Sequence, residues 1–353
     1  MKIIENECDP MKLSGAEFTL SIGCSLNCHY CPQEKLIRRY VDLYGKEELF
    51  MKFDTFVKCL KNIKQGGGIS FAGMVEPFHN KECAKMIKYA YDHGYKIWLA
   101  TTLVDATEED FEILKDVCFE DIQLHIPDEQ GNSKFVITDE YLRIFQLFHE
   151  KFIANGHLTY SCHGGIHDAI KPYLSRDVIC SSAMMNRAGN LEYEELHTYA
   201  HKGRIICACG SVQQVTGWSP SVLPNGTVLL CCMDYGMEHI LGNLALQESS
   251  AILNGKEYLR CKQGLEDEKI PVLCRKCPMA QAADGIDPSE QNLYASNAIK
   301  VAEAIKKYIK GELAEAVLRA SLSVRSVNII KMIADYIGGG GQDLHIRFRQ
   351  AFS

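Results

Sequence analysis

Apolar positions in the first half of the chain fall into two alternating rhythms. Short alternating or continuously apolar runs predict strands over residues 17–23, through Ile69-Ser70-Phe71, and over 96–102, 122–126 and 157–162. Between them, apolar residues recur at helical spacing over 53–64, 80–93, 107–118 and 138–154, while 35–44 reads as helix and loop together. Strands and helices taking turns at this spacing predict a parallel sheet covered by its crossover helices. The alternation stops near residue 205. Beyond it, Pro224-Asn225-Gly226 between two apolar runs predicts a hairpin, and a helix is expected near 249–262. In the tail, Ile305, Tyr308 and Ile309, then Ile329, Ile330, Ile333, Tyr336 and Ile337, recur as the apolar stripes of two amphipathic helices. Gly338 to Gly341 then break the chain before a short basic end, Arg347-Phe348-Arg349.

A length of 353 residues allows two or three domains. With 46% hydrophobic and 24% charged residues the composition is that of a globular protein, and no run is apolar for long enough to span a bilayer. A formal charge of −7 with no long Lys/Arg block argues against a general nucleic-acid binder and favours small-molecule or protein substrates. Residues 1–7 lack the apolar core of a secretory signal, so a cytoplasmic protein is expected. In a reducing compartment its 16 cysteines point to clusters or metal rather than to disulfides.

Nine of those cysteines form two systems. Cys24, Cys28 and Cys31 lie within eight residues after the first predicted strand, close enough for their thiolates to surround one centre. The next cysteine, Cys59, falls in a predicted helix, so a cluster held by this loop keeps one iron free of protein. A structural zinc site completed by His29 is the alternative, although structural zinc ligands usually come as two separated pairs. The second system comprises Cys207, Cys209, Cys231, Cys232, Cys274 and Cys277, from which four thiolates can be drawn to one centre; a zinc ribbon is its alternative. Between the two systems, Gly73-Met74-Val75-Glu76 follows a strand, letting backbone approach a ligand while a carboxylate accepts bonds from an ammonium.

The loop Cys24-x-x-x-Cys28-x-Tyr30-Cys31 resembles the signature of the radical S-adenosylmethionine (SAM) enzymes. That resemblance implies a partial barrel of about six β/α units over roughly residues 13–195. It implies a [4Fe–4S] cluster whose open iron chelates SAM and whose electron releases a 5′-deoxyadenosyl radical. Glu76 then receives the SAM amino group with Gly73 as its turn residue, and Thr102 occupies a polar position near SAM. His125, at a strand end facing the pocket, is either catalytic or a hydrogen-bonded core histidine. Arg187-Ala188-Gly189-Asn190 looks like a turn of radical SAM oxidoreductases whose arginine points into the active site; Arg187 holds a SAM carboxylate or substrate oxygen, or else makes a surface ion pair.

Residues 205–277 closely resemble the SPASM/twitch extension of the same enzymes, with the hairpin, Cys231-Cys232-Met233-Asp234, Leu241-Gly242-Asn243 and Cys274-x-x-Cys277 in the expected order. Cys209, Cys231, Cys274 and Cys277 are thereby assigned to an auxiliary [4Fe–4S] cluster, with Cys207 and Cys232 left open as replacements for the first two. No cysteine follows Cys277, which favours the short twitch form with one auxiliary cluster. The domains expected are a barrel over 1–195, an auxiliary domain over 196–285 and a helical extension over 286–353.

The resemblance implies an oxidoreductase that removes hydrogen from a hydroxyl-bearing sugar or aminocyclitol, passes the second electron to the auxiliary cluster, and draws on a donor such as flavodoxin or ferredoxin. Epimerisation, with Cys118, Cys162 or Cys180 returning a hydrogen atom, is the second reading. Peptide modification is the third, ranked lower because only about sixteen residues precede the first predicted strand. A zinc-stabilised binding protein is the alternative outside the enzymes.

Overall fold

Six parallel strands run in chain order across one sheet: β1 (Leu13–Phe18), β2 (Ile63–Phe71), β3 (Lys96–Thr101), β4 (Asp121–His125), β5 (Leu158–His163) and β6 (Val178–Ser181). Parallel neighbours need crossovers, which are supplied by α1 (Gln33–Tyr44) and α2 (Phe53–Leu60), α3 (Cys83–Asp92), α4 (Glu108–Leu114) and α5 (Asp139–Phe152). This computed structural model describes residues 12–152, 158–174, 178–181, 185–193, 196, 198–207 and 219–283.

The helices form because each has one apolar face to bury. Helix α2 buries Phe56, Cys59 and Leu60, and α5 buries Tyr141, Ile144, Phe145 and Phe148. Helix α4 starts on a capping box, in which Thr107 and Asp110 satisfy each other's backbone N–H groups. Against these faces the sheet turns Phe18 and Phe71, and the Phe18 ring meets that of Phe56 edge-on at 4.9 Å.

The opposite face of the sheet is polar. Alternate residues of each strand are less buried than their neighbours, and these positions carry Glu17, Ser70, Trp98, Gln123, His125 and Ser161. Gln123 reaches across the strands to the Ser161 hydroxyl at 3.3 Å. This face, opposite the helices, is the one on which the polar side chains of the strands gather.

The first strand lies earlier than its apolar pattern suggests. Residues 17–23 read as a strand, whereas β1 ends at Phe18. After it, the Thr19 N–H bonds to Val222 and that of Ile22 to Leu49, carrying the chain across the mouth of the sheet. The true strand is built of Leu13-Ser14-Gly15-Ala16, whose small residues hide its period. They are needed because β1 and β2 approach closely: a Cβ on Gly15 would lie 2.6 Å from the Gly68 carbonyl oxygen.

The second half is hydrogen-bonded to the first. After β7 (Ile205–Cys207), strand β8 (Ser221–Val222) pairs in parallel with β1, and β9 (Thr227–Leu229) and β10 (Ile240–Asn243) continue antiparallel. The sheet thus reads β10-β9-β8-β1-β2-β3-β4-β5-β6. Helices α6 (Ser249–Leu253) and α7 (Lys256–Glu266) follow, then a 3₁₀ turn at Leu273–Lys276 and β11 (Ala280–Ala282), which pairs with β7. The expected tail helices lie outside the described residues. Among the described residues, no helix is long and apolar enough to cross a membrane.

Candidate metal and cofactor site

The chain leaves β1 over the carboxyl ends of the strands and there carries Cys24, Cys28 and Cys31, all half-buried. Tyr30 points inward and anchors this loop. Its hydroxyl lies 2.7 Å from both Ser133 Oγ and His125 Nε2, and its ring centroid is 4.1 Å from that of His163. His29 is exposed and stacks on Tyr193, so it faces away from where Tyr30 leads. Burial pushes the Cys24 thiol up to about 11 and raises that of Cys28, with the neighbouring sulfurs adding to the effect. Such thiols keep their protons at neutral pH, and a bound cationic centre would have to ionise them. Among the described residues, neither cysteine system brings three ligand atoms within 4.8 Å of one another.

Below the loop, Gly73 has φ of +69°, and a Cβ there would lie 2.3 Å from Thr19 Oγ1, so the turn accepts only glycine. Glu76 follows, buried at 4% exposure. Its Oε1 accepts from Thr101 Oγ1 at 2.6 Å and Phe78 N at 3.2 Å, and its Oε2 from Thr102 N at 2.7 Å and Thr102 Oγ1 at 2.5 Å. Two residues assigned separately to SAM, Glu76 and Thr102, are thus bonded directly to each other. In this arrangement all four lone-pair positions of the carboxylate are taken. An ammonium meeting Glu76 must displace a threonine hydroxyl.

His125 lies on the polar face of the sheet, beneath Tyr30. Burial, with the nearby His163, lowers its pKa to about 4, so it is neutral at physiological pH. Both ring nitrogens are engaged, Nε2 with Tyr30 and Nδ1 with Ser161 Oγ at 3.2 Å. These bonds make it a tether between β4, β5 and the cysteine loop.

Arg187 is held in left-handed backbone conformation, φ +49°. Its Nε donates to the Tyr30 carbonyl at 3.4 Å, and its charge is felt by Cys31, Cys232, Tyr30 and Tyr235. The surroundings are thiols and phenols under the cysteine loop, unlike those of a surface ion pair. Asn190 secures the turn, donating to the Arg187 carbonyl at 2.8 Å and the Met233 carbonyl at 2.7 Å. The arginine turn and the hairpin cysteines are therefore tied together.

Three further residues belong to the site. Glu17 lies on the polar face at β1, where it accepts from Ser221 Oγ at 2.9 Å and from the Gly73 N–H. Burial raises its pKa, while Arg187 acts on it in the opposite sense. A carboxylate in an otherwise small and apolar strand was the signal available in the sequence. Asp234 caps the turn after the hairpin, accepting from Glu238 N at 2.8 Å and His239 N at 2.9 Å. Tyr235 places its hydroxyl 3.6 Å from Cys31 Sγ, and nothing in the sequence marks that contact.

The second cysteine system is more deeply buried. Cys207, Cys274 and Cys277 are 4%, 4% and 8% exposed, and Cys231 packs against the same core. Cys207 stands opposite Ala280 in the β7–β11 pair, three residues from Cys277, so β11 brings the Cys-x-x-Cys turn to β7. Cys209 lies outside the described residues. Cys231 and Cys232 diverge, the first toward the core and the second toward Arg187. Of the cysteines weighed as hydrogen donors, Cys118 is exposed and Cys162 belongs to the buried set of β5, away from the polar face; the Cys180 side chain is not described. His239, Glu257 and Cys261 also lie close together. Glu257 is already engaged there, accepting from Arg260 at 2.6 Å and meeting His239 Nδ1 at 2.8 Å, so the trio belongs to a charge network.

Comparison with known proteins bears on this geometry. Residues 216–278 match SPASM, an iron–sulfur cluster-binding domain. No curated protein matches the sequence. The fold is similar to that of BtrN in complex with AdoMet and 2-DOIA, at 17% identity over 75% of this chain and 93% of that one, with a TM-score of 0.51. Weaker similarities include Streptococcus suis SuiB bound to precursor peptide SuiA, at 12% identity over 76% and 70% of the two chains and a TM-score of 0.45. Another is anSMEcpe with bound AdoMet and Cp18Cys peptide, at 16% identity, 75% and 86% coverage and a TM-score of 0.41. The SPASM match places an iron–sulfur cluster-binding domain over the hairpin and the Cys274-x-x-Cys277 turn, and the likeness to BtrN is one of fold.

Proposed function

We propose that this protein is a radical SAM oxidoreductase acting on a hydroxyl-bearing small molecule of the sugar or aminocyclitol class. The observation that carries the reading is the polar face of the sheet, with Glu17, Ser70, Gln123 and Ser161, together with the half-buried Cys24, Cys28 and Cys31 that follow β1. Such a lining hydrogen-bonds hydroxyl groups and repays their desolvation.

Cys24, Cys28 and Cys31 hold the barrel cluster, and Cys231, Cys274 and Cys277 with Cys209 or Cys207 hold the auxiliary one. When bound, the barrel cluster and SAM supply a radical that removes a carbon-bound hydrogen, and the auxiliary cluster supplies the acceptor for the second electron. Oxidising a hydroxyl to a carbonyl also releases a proton. Glu17 is placed to take it, since its raised pKa makes protonation of Oε favourable. Arg187 orients an anionic or oxygen group beneath the loop, Gly73 and Glu76 shape the SAM turn, and Thr102 and His125 hold the strand ends around it.

One observation favours epimerisation as a second reading. Cys232 shares the surroundings of Arg187 with Cys31 and Tyr235, where its thiol can return a hydrogen atom to a substrate carbon. Incubating the reconstituted protein with SAM, reductant and a panel of aminocyclitols and sugars separates the two. Dehydrogenation yields a product two mass units lighter; epimerisation yields one of unchanged mass that incorporates solvent deuterium and is lost in Cys232→Ala. If 5′-deoxyadenosine forms only with a peptide, the small-molecule reading fails.

A further inference from the structure

The two cysteine systems meet at one side chain. Tyr235 follows the hairpin cysteines, and Asp234 beside it fixes the turn through the Glu238 and His239 amides. The tyrosine is 3% exposed and belongs to a small apolar cluster with Ile22 from the cysteine loop, Leu36 and Tyr40 from α1, Met74 from the SAM turn and Leu229 from the hairpin. Cys31 packs against that cluster, with its Sγ 3.6 Å from the Tyr235 hydroxyl in hydrogen-bond geometry. As a free thiol, Cys31 can be the donor. A thiolate has no hydrogen, so once Cys31 is ionised the phenol must be the donor.

We propose that Tyr235 is a positioning residue that donates its phenolic hydrogen to the Cys31 sulfur when that sulfur ligates the barrel cluster, so that the auxiliary hairpin sets that cluster's reduction potential. The inference rests on the reading of Cys24, Cys28 and Cys31 as cluster ligands. Reduction adds negative charge that is shared by the ligating sulfurs, and a hydrogen bond to one of them stabilises the reduced state more than the oxidised one. Partners of this kind orient and tune metal ligands from the outer shell. Tyr235 therefore raises the potential, and it does so only while the hairpin is seated. Tyr40 provides the internal comparison: it shares the apolar cluster but gives its hydroxyl to the Glu48 carbonyl at 2.8 Å, not to a cysteine.

The test is a redox titration of the full chain, reconstituted anaerobically and followed by electron paramagnetic resonance. Tyr235→Phe keeps the ring and should retain the parent's iron, while the barrel cluster's midpoint becomes more negative by about 59 mV, a tenfold change for a one-electron couple. The auxiliary midpoint should not move, and Tyr40→Phe should match the parent. An unchanged barrel midpoint in Tyr235→Phe, or an equal shift in Tyr40→Phe, overturns the inference and leaves the proposed function standing. A parent with no signal dependent on Cys24, Cys28 and Cys31 overturns both. Should Tyr235→Phe fail to take up iron, the unaltered protein still decides: pulsed measurements in D₂O should detect an exchangeable deuteron coupled to the reduced barrel cluster, and its absence rejects the hydrogen bond.

Discussion

On the proposed reading, the cysteine loop and the hairpin region would use the same ligand chemistry in opposite settings. Cys24, Cys28 and Cys31 come from one short loop, are half-buried and follow the polar-faced strand β1. The auxiliary cysteines are collected from the hairpin, the Leu273–Lys276 turn and the region of β7, and Cys207, Cys274 and Cys277 are buried. Access separates the two. A centre at the half-buried loop can take a ligand, whereas one enclosed in apolar core is insulated from substrate and suited to storing or passing an electron. That contrast predicts unequal consequences for removing each.

The largest difference should appear in SAM cleavage. Replacing Cys24, Cys28 and Cys31 together by Ala should abolish 5′-deoxyadenosine formation under reducing anaerobic conditions. Replacing Cys274 and Cys277 should remove about half of the iron, because thiolates supply the ligation, yet leave cleavage intact while oxidised product fails to accumulate. Iron analysis and chromatography of the nucleoside product score both arms. Equal loss of cleavage in the two would erase the distinction.

Glu76→Ala comes next. Its carboxylate satisfies Thr101, Thr102 and Phe78, so its loss leaves several buried donors unpaired and should cost about 3 kcal/mol in denaturant unfolding, alongside weaker SAM binding. Stability equal to the parent's would show that the threonines find other partners.

Glu17→Gln should leave SAM cleavage in place and slow product formation about a hundredfold, the scale of losing one proton acceptor. It also carries a pH signature. Burial raises the folded-state pKa above the ordinary 4.5, so the protonated acid contributes stability at low pH that is lost as pH rises through the folded value. Glutamine does not titrate. The variant's melting temperature should therefore gain on the parent's as pH rises through that range, and a constant gap would refute the assignment.

The smallest effect is expected at the auxiliary site's outer support. His239 Nε2 accepts the Leu273 N–H at 2.9 Å at the head of the turn that carries Cys274, while its Nδ1 faces Glu257 at 2.8 Å. His239→Ala should cost about 1.5 kcal/mol and loosen auxiliary iron without changing SAM cleavage.

The legibility of these regions in the sequence differs for physical reasons. Parallel strands buried on one face announce themselves by period, so β3, β4 and β5 are readable to within a residue. Strand β1 is not, because close approach to β2 requires Gly15 and its small neighbours, which have no hydrophobic signature. The cysteine loop is legible because its three cysteines lie close together in sequence. The auxiliary set is legible only as a list with alternatives, since the facing of Cys231 and Cys232 is decided by tertiary contacts such as the Asn190 bond to Met233. Contacts such as Tyr235 to Cys31 or Glu17 to Ser221 join residues 204 apart and leave no local trace.

Electron paramagnetic resonance of the reduced protein with and without SAM, on the two cysteine variants side by side, tests the open and closed assignment most directly. The protein lacking Cys274 and Cys277 should show a cluster signal that SAM reshapes, and the protein lacking Cys24, Cys28 and Cys31 a signal that SAM leaves unchanged. A SAM response that survives loss of Cys24, Cys28 and Cys31, or that disappears with Cys274 and Cys277, would contradict it.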